Sequence, residues 1–354
     1  MKPDLSKNKT IGILGGGQLG RMLSSSASKL GFKSHIYDPQ KGCPASQVSD
    51  LTTVASYEDI KALTNFAKSV DVVTYEFENI PTQALDVIEN YVSIYPNRKA
   101  LLTSQDRLTE KQFLNNIGLN TAPFVNVETD AELKNAINKI GSDSILKTRR
   151  FGYDGKGQAR LNSKTNLVDI LLSFQGQPCI LEGLINFDQE ISVIGARDQH
   201  GSISCYDPGE NIHQNGILRT TIVPARINKK IATDAIIITG KILNALDYIG
   251  TIGVELFVKD NKLIVNEIAP RVHNSGHWTQ NGCVIDQFEQ HVRAITGLPL
   301  GDGNRHSNVK MTNLLGDDIL NLEQLLNARN SAVHLYGKKD IKSDRKMGHV
   351  NQLY

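Results

Sequence analysis

Short apolar runs alternate with amphipathic segments through the first hundred residues. The apolar runs predict buried strands at residues 10–14, 33–37, 71–75 and 92–95. The segments between them predict helices at residues 21–30, at residues 57–68 and after Pro81. Repeated β-α-β units of this kind build a parallel, doubly wound sheet. Pro96 ends the pattern, so we predict a first, Rossmann-like domain at residues 1–97.

The pattern changes after a charged helical segment at residues 97–118. Strands are predicted at 145–148, 178–183 and 190–197, with helices at 228–246 and 285–296. Residues 251–259 and 262–268 predict a hairpin turned by Asp260 and Asn261. We therefore expect an α/β first domain, an α+β domain at 98–298, and a small carboxy-terminal domain at 299–354.

Composition excludes several classes of protein. The 354 residues include 39 Lys plus Arg and 37 Asp plus Glu, a balance that predicts neither a nucleic-acid nor a membrane partner. The polar amino terminus and the lack of a long apolar stretch predict a cytoplasmic protein. Four dispersed cysteines predict reduced thiols without a zinc site or disulfide framework.

A glycine-rich turn follows the first predicted strand. Gly15, Gly17 and Gly20 fit the pattern G-x-G-x-x-G, and Asp38 ends the next strand. This spacing is typical of a dinucleotide site, but a helix amino terminus attracts any anion. Three interpretations remain open: a nicotinamide cofactor, a tight turn without a ligand, and a site for a mononucleotide phosphate.

A second glycine-rich segment, ILKTRRFGYDGKGQ, begins at residue 145. Lys147 ends a predicted strand, and Gly152, Gly155 and Gly157 follow in the loop. Such a loop can close over a triphosphate, with backbone N–H groups and the lysine facing its oxygens. A simple hairpin loop with a surface lysine is the alternative.

Two glutamates lie at equal distances from the predicted hairpin turn. Simple antiparallel pairing about Asn261 sets Glu255 opposite Glu267 on one face. Opposed carboxylates repel each other unless a cation lies between them. Mg²⁺ takes one or two carboxylates and completes its shell with phosphate oxygens and water, so the pair predicts a metal and a phosphorylated ligand. A splayed, solvated pair is the alternative.

The segment APRVHNSGHWT follows the second glutamate directly. His273 and His277 have the spacing of zinc ligands on a helix, but the proline and glycine between residues 270 and 276 make a zinc protease a poor interpretation. Arg271 is a better candidate, because a guanidinium can stabilise charge on a transferring phosphoryl or carboxylate group. An internal salt bridge is its alternative role.

The ordered stretches GGGQLGRML, DRLTEK, GYDGKGQ, HQNGILRT, NEIAPRVHNSGHWTQNG and RKMGH resemble the 5-(carboxyamino)imidazole ribonucleotide synthases of the ATP-grasp superfamily. The resemblance runs from about residue 11 to about residue 351. It implies an ATP-grasp fold with a pre-ATP-grasp domain. Relatives of this family usually continue through a further helical segment, which leaves two alternatives open: the carboxy-terminal domain is incomplete, or this sequence is simply shorter.

The resemblance also implies roles for individual residues. For ATP these are Arg107, Lys147, Gly152, Tyr153, Asp154, Gly155, Lys156, Gly157, Gln158, Glu182, Gly183, Leu184, Ile185, Glu190, His213, Asn266 and Glu267. The implied metal ligands are Glu255 and Glu267. For the ribonucleotide they are Gln18, Leu19, Glu76, Asn274, Lys338, Arg345 and Lys346. The implied catalytic residues are Tyr153, Asp154, Arg271 and Lys338.

The implied reaction is the ATP-dependent carboxylation of 5-aminoimidazole ribonucleotide by bicarbonate in purine biosynthesis. The resemblance further implies Mg²⁺, with Mn²⁺ as an alternative, and a homodimer. The nearest rival is a formate-using glycinamide ribonucleotide formyltransferase of the same superfamily. An NAD-dependent oxidoreductase and a nucleotide-sensing scaffold are more distant alternatives.

Overall fold

The computed structural model describes residues 9–152 and 155–354. Its first unit is a parallel sheet with strand order β3-β2-β1-β4. The elements are β1 (Thr10–Leu14), α1 (Gln18–Lys29), β2 (Lys33–Asp38), β3 (Leu51–Val54), α2 (Ile60–Lys68), β4 (Val72–Tyr75) and α3 (Thr82–Glu89). The predicted parallel sheet is confirmed.

Two details of this unit differ from the prediction. The strand expected at residues 92–95 is reduced to a single parallel bridge between Ile94 and Val73, with backbone hydrogen bonds from Val73 N–H to the Ser93 carbonyl and from Tyr95 N–H to the Val73 carbonyl. The short strand β3 was missed, because it lies at the sheet edge and has no continuous buried run. Helix α1 begins at Gln18, three residues earlier than expected, directly after the glycine turn.

The predicted helical segment at 97–118 consists of two helices, α4 (Arg98–Ser104) and α5 (Arg107–Asn116). Each has its own amino-terminal cap, because the side chain of Asn97 accepts from Ala100 N–H and that of Asp106 accepts from the N–H groups of Leu108 and Thr109. The second cap makes a separate helix start at residue 107, which places α5 beside the cleft.

The second unit is a small antiparallel sheet with strand order β5-β8-β6-β7 in the described part of the chain. Its elements are β5 (Phe124–Val127), α6 (Asp130–Ile140), β6 (Ser144–Thr148), β7 (Gln158–Leu161), α7 (Leu167–Ser173) and β8 (Cys179–Gly183). Leu133 and Leu146 are fully buried in the core between α6 and this sheet. The glycine-rich segment connects β6 to β7 at one end of the sheet.

The third unit is a large sheet with order β14-β13-β9-β11-β12-β15-β17-β16, to which β10 adds beside β9; this makes nine strands among the described residues. The strands are β9 (Gln189–Arg197), β10 (Ile203–Cys205), β11 (Gly209–Gln214), β12 (Ile217–Val223), β13 (Gly250–Lys259), β14 (Lys262–Ala269), β15 (Val309–Leu315), β16 (Ser331–Leu335) and β17 (Lys346–Leu353). The helices are α8 (Lys229–Ala245), α9 (Thr279–Gly282), α10 (Gln287–Thr296) and α11 (Leu322–Asn327). The predicted carboxy-terminal domain thus extends this sheet, because β15 pairs with β12.

The hairpin β13–β14 reaches the predicted pairing by an unexpected route. The turn has two residues, Asp260 and Asn261, both with positive φ (50° and 56°), which suits a tight hairpin turn. Lys259 therefore pairs with Lys262, one residue away from the predicted partner. A β-bulge then shifts the register between residues 255 and 256. Glu255 lies opposite Glu267, as predicted.

Packing joins the first unit to the large sheet. Met22 and Leu23 on α1 share a buried cluster with Phe288 and Val292 on α10. The buried His291 imidazole links Thr74 on β4 to the backbone of Thr251 on β13. These contacts place the carboxyl ends of β1 and β4 beside the glutamate hairpin.

Candidate active site

A cleft of about 630 Å³ opens where the three sheets meet. Most of the predicted site residues line it, from all three predicted domains: Gln18, Leu19, Glu76, Arg107, Lys147, Gly152, Gly155, Lys156, Gln158, Glu190, His213, Glu255, Asn266, Glu267, Arg271, Asn274 and Lys346. Gly157, Glu182, Gly183, Leu184, Ile185, Lys338 and Arg345 are not among the lining residues. Tyr153 and Asp154 lie outside the described residues.

The β-bulge places three oxygen-bearing side chains at one point of the cleft. In a bulge, two residues of one strand face a single residue of the other. Asn266 and Glu267 face Glu255 in this way, and the Asn266 amide nitrogen lies 3.4 Å from a Glu255 carboxylate oxygen. Regular alternation would turn one of two successive residues away from the cleft. The bulge therefore concentrates carboxylate and amide oxygens, the donors that Mg²⁺ prefers.

The two opposed carboxyls have different electrostatic surroundings. Burial, followed by the charge of Glu267, raises the pKa of Glu255 well above its ordinary value. Burial also acts on Glu267, but the nearby Arg107 and Lys147 offset it and leave the pKa of that carboxyl below its ordinary value. Arg107 lies 3.0 Å from Glu267, whose side chain remains 38% exposed toward the cleft. Among the described residues, Glu255 forms no ion pair with a lysine or arginine, and a divalent cation would supply the missing positive charge.

A buried cluster of two lysines and one glutamate lies behind the cleft. Lys147 and Lys111 approach the same carboxylate oxygen of Glu182 at 3.0 and 3.3 Å. Burial lowers the pKa of Lys147, partly offset by Glu182. The other oxygen of Glu182 is buried and has no hydrogen-bond partner among the described residues. A buried acceptor of this kind is costly unless a donor reaches it, which points to a ligand with an N–H or O–H group.

Glu190 and His213 lie in the cleft beside Glu255. The Nδ1 atom of His213 lies 3.1 Å from a Glu190 carboxylate oxygen. Within residues 9–152 and 155–354, the side chains of Glu190, His213 and Glu255 form a group that could hold a metal ion, because their potential ligand atoms all lie within 4.8 Å of one another. Glu255 belongs both to this group and to the carboxylate pair at the bulge. The side chains that could bind a metal ion therefore extend from the bulge to Glu190.

Arg271 follows β14 and forms an ion pair with Glu78, a residue from the loop after β4. Its guanidinium nitrogen lies 2.9 Å from the Glu78 carboxylate, and both side chains are about three-quarters buried. Burial raises the pKa of Glu78, and Arg271 opposes this. The pair spans two units of the fold at the cleft wall. The alternative role of Arg271, an internal salt bridge, is thus present in the structure.

The first glycine turn already holds an anion, the carboxylate of Glu76. One oxygen accepts from Gly17 N–H at 2.6 Å, and the other accepts from Leu19 and Gly20 N–H, both at 3.1 Å. Asp38 accepts from Gly16 N–H at 2.6 Å. A Cβ at Gly17 would lie 2.4 Å from the Glu76 carboxylate, so the glycine makes room for this internal partner.

This arrangement bears on two of the open interpretations of the turn. A pyrophosphate or phosphate at the amino terminus of α1 would have to displace the Glu76 carboxylate from three N–H groups. The dinucleotide and mononucleotide-phosphate interpretations therefore stay predictions, and each requires the Glu76 carboxylate to move. Gln18 and Leu19 still line the cleft, where their side chains can contact another part of a substrate.

The predicted ribonucleotide residues Lys338, Arg345 and Lys346 lie in the loop before β17 and at its first position, and Asn274 lies in the segment after β14. The Lys338 ammonium donates to the Lys346 carbonyl at 2.7 Å, and Arg345 donates to the Asp340 carbonyl at 3.2 Å. Asn274 makes a reciprocal amide pair with Asn313 on β15, with distances of 2.9 and 2.6 Å. Asn313 is fully buried and thereby fixes the orientation of Asn274 at the cleft wall.

His273 and His277 do not face each other as metal ligands. His273 lies 3.7 Å from Glu255, whereas His277 is fully buried and packs against His349 with ring centroids 4.7 Å apart. Burial lowers the pKa of both histidines well below the ordinary value. The poor fit to a zinc protease is consistent with this geometry.

Several residues at the site were missed by sequence reasoning. Glu110 lines the cleft, and burial followed by the charge of Glu267 raises its pKa to about 8. Lys111 is buried beside it, and Phe187 stacks on Phe257 at the cleft wall with ring centroids 4.6 Å apart. The positions of Glu110 and Lys111, three and four residues after Arg107, put all three on one helix face. From this spacing, Glu110 and Lys111 could have been predicted to lie beside Arg107 at the site.

Family models match three consecutive parts of the chain. They are a ribonucleotide synthetase pre-ATP-grasp domain at residues 8–105, an ATP-grasp domain at 112–288, and a phosphoribosylaminoimidazole carboxylase carboxy-terminal domain at 310–354. A relative from Brucella melitensis, an N5-carboxyaminoimidazole ribonucleotide synthase, is 49% identical over 99% of this chain and 98% of its own length. The chain belongs to the N5-carboxyaminoimidazole ribonucleotide synthase family.

Solved structures of the family agree with this assignment. An ADP complex of an N5-carboxyaminoimidazole ribonucleotide synthetase superposes with a TM-score of 0.96 at 42% identity, covering 100% of this chain and 94% of that one. The enzyme from Aspergillus clavatus, in complex with ADP and 5-aminoimidazole ribonucleotide, gives a TM-score of 0.92 at 32% identity, covering 98% and 94%. The predicted ATP-grasp fold with a pre-ATP-grasp domain is confirmed. Within the described residues, no helix is both long and apolar enough to cross a membrane.

Proposed function

We propose that the protein carboxylates 5-aminoimidazole ribonucleotide with bicarbonate, consuming ATP and releasing N5-carboxyaminoimidazole ribonucleotide, ADP and phosphate, in purine biosynthesis. The observation that carries this proposal is the likeness to the Aspergillus clavatus enzyme with ADP and the aminoimidazole ribonucleotide bound. The opposed carboxylates in a cleft lined by Lys147 and Arg107 support the ATP-dependent part of the reaction.

ATP is proposed to lie along the cleft between the two antiparallel sheets. The carboxylate oxygen of Glu182 that has no partner among the described residues can accept a hydrogen bond from the exocyclic amine of adenine. Gly183, Leu184 and Ile185 of the connecting segment would lie next to the adenine. Glu190 is proposed to bind the ribose hydroxyls, with His213 beside it. Arg107 and Lys147 would face the phosphates, and the glycine-rich loop 152–158 would cover them.

Glu255 and Glu267, with Asn266 beside them, are proposed to hold Mg²⁺. The residues fit the ion, because the bulge sets hard oxygen donors on one face of the hairpin. In the part of the chain that the structure describes, Glu267 has Arg107 as an ion-pair partner, whereas Glu255 pairs with no lysine or arginine. Glu255, Asn266 and Glu267 would hold the ion, whose positive charge would stabilise the negative charge that develops on the transferring phosphoryl group. Mn²⁺ offers the same ligand preferences.

The chemistry is proposed to run in two steps. A bicarbonate oxygen attacks the γ-phosphorus, the bond to the β–γ bridging oxygen breaks, and ADP leaves, giving carboxyphosphate. The exocyclic amine of the ribonucleotide then takes the carboxyl group, directly or as released CO₂, while phosphate leaves and the amine loses a proton. Arg271 and Lys338 are proposed to stabilise anionic oxygens in these steps, with Tyr153 and Asp154 completing the bicarbonate site.

The ribonucleotide is proposed to lie at the side of the cleft formed by the first unit and the last strands. Gln18, Leu19 and Glu76 would contact it from the glycine turn, and Asn274 from the segment after β14. Lys338, Arg345 and Lys346 would surround its phosphate, since their cationic groups lie on neighbouring parts of the chain. A homodimer in the cytoplasm is also proposed, from the resemblance; light scattering of the purified protein tests the dimer.

The testing experiment measures ADP release with Mg·ATP and bicarbonate, with and without 5-aminoimidazole ribonucleotide. A parallel reaction supplies glycinamide ribonucleotide and formate. Stimulation by the aminoimidazole alone is expected. Stimulation by the formate pair instead, or by neither substrate, would overturn the proposed function.

A further inference from the structure

The strand that carries Glu267 lies at the edge of the large sheet. In the described part of the chain, β14 ends the strand order and pairs with β13 on one side, so its outer backbone groups need partners from elsewhere. Near the turn, Val265 N–H donates to the Asn120 carbonyl at 2.8 Å. Beyond that point the edge is covered by the first turns of α5. Next to the bridge between Thr121 and Val265, the outer edge of the bulge is therefore closed by side chains.

Two consecutive side chains of α5 supply these partners. Lys111 donates to the backbone carbonyl of Asn266, the bulge residue, at 3.0 Å. Glu110 accepts from the backbone N–H of Ile268 at 2.6 Å. Both side chains are about 2% exposed. They bind the chain immediately before and after Glu267, while Arg107, one turn earlier, contacts the carboxylate itself.

The hydrogen bonds have a geometric consequence for the ligand face. A bulge leaves its extra residue outside the ladder, so nothing in the hairpin alone fixes where the Asn266 carbonyl points. Holding that carbonyl and the next outer N–H determines the direction in which Asn266 and Glu267 project. Lys111 also contacts Glu182, so the same residue connects the bulge to β8.

We propose that Glu110 and Lys111 are positioning residues, which hold the β-bulge in the conformation that aims Asn266 and Glu267 at a divalent cation. This rests on the proposed function, because the cation is the one that the nucleotide site would use. Neither residue touches the substrate in this role. Their effect reaches the cation through the backbone of β14.

The first test replaces Glu110 in two ways and measures cation binding directly. Glu110→Gln keeps an oxygen that can accept from Ile268 N–H, whereas Glu110→Leu keeps the bulk and removes the acceptor. Mn²⁺ binding is followed by electron paramagnetic resonance with saturating ADP, and the Mg²⁺ dependence of turnover is followed in parallel. We expect Glu110→Leu to weaken Mn²⁺ binding about tenfold or more, and Glu110→Gln to stay within about threefold of the wild type.

A matched control separates positioning from loss of stability. Leu63→Ala removes a buried side chain from the core of the first unit, away from the cleft, and should lower the melting temperature while leaving Mn²⁺ affinity unchanged. Equal Mn²⁺ affinity in Glu110→Leu and Leu63→Ala would overturn the role of Glu110. An equally large loss in Glu110→Gln would also overturn it, because the charge would then matter and not the hydrogen bond.

The second test addresses Lys111. Lys111→Met keeps the apolar stem and removes the ammonium group, and Gln112→Met, on the exposed side of the same helix, is the control. We expect weaker Mn²⁺ binding only in Lys111→Met, with a raised KM for Mg·ATP and a smaller change in kcat. Unchanged Mn²⁺ affinity in Lys111→Met would overturn the role of Lys111. If the wild type itself binds no Mn²⁺ with ADP, the proposed nucleotide site fails instead.

Discussion

The buried His291 imidazole predicts a specific loss of stability in acid. Thr251 N–H donates to Nδ1 at 3.0 Å, so the neutral ring carries its proton on Nε2, which lies 2.8 Å from the Thr74 hydroxyl. Burial lowers the pKa of His291 to about 3. Protonation at Nδ1 would break the bond to the Thr251 backbone and leave a charge inside the contact between two units of the fold.

The sign and size follow from proton linkage. The unfolded chain binds a proton at His291 near pH 6.5, whereas the folded chain does so only near pH 3. Stability is therefore full above pH 6.5 and is lost progressively as the pH falls below it. Each pH unit in this window costs about 1.4 kcal/mol, so this one group removes about 2 kcal/mol between pH 7.5 and pH 5.0.

The assay compares urea unfolding of the wild type and His291→Gln at pH 7.5 and pH 5.0, using the fluorescence of the single, buried Trp278. Glutamine can accept from Thr251 N–H and does not titrate. The variant should lose about 2 kcal/mol less than the wild type between the two pH values. The other buried histidines act equally in both proteins. Equal losses in the two proteins would refute the reasoning.

Three further predictions concern the cleft. Glu255→Gln should raise the melting temperature in the absence of divalent cations, because it removes a buried like-charge repulsion, and should lower Mg²⁺-dependent ADP release about a hundredfold; an unchanged melting temperature in EDTA would contradict this. Glu78→Gln should lower kcat about tenfold by releasing Arg271 while the KM for ATP stays constant, as steady-state kinetics can check. Asn313→Ala should raise the KM for the ribonucleotide about tenfold through Asn274, and a shift in the KM for ATP instead would argue against that route.

The glutamate hairpin illustrates how far the sequence reaches. Symmetric pairing about Asn261 correctly predicted that Glu255 and Glu267 are opposite each other. The register near the turn was wrong by one residue, and the bulge restored the pairing. The bulge could not be predicted from the hairpin, because its partners lie on α5, 155 and 158 residues away along the chain.

The strands of the first unit show a different limit. Fully buried parallel strands such as β1 carry continuous apolar runs, which periodicity detects. The edge strand β3 has no fully buried position, so no such run marks it. Residues 92–95 have the right composition but form one isolated bridge, between Ile94 and Val73. An apolar run predicts that a segment is buried. Whether the buried segment joins a sheet depends on which other segments of the chain lie beside it.

The glycine turn carries a lesson for interpreting sequence motifs. The pattern G-x-G-x-x-G predicts a turn whose N–H groups are accessible to an anion, but it does not predict which anion binds there. Here the occupant is encoded 59 residues after Gly17, as Glu76 at the end of the adjacent strand. An acidic residue at that position can bind the N–H groups of the turn from within the same chain. A motif search that also inspects the end of the neighbouring strand can therefore distinguish turns that bind a dinucleotide from turns that bind a carboxylate of the same chain.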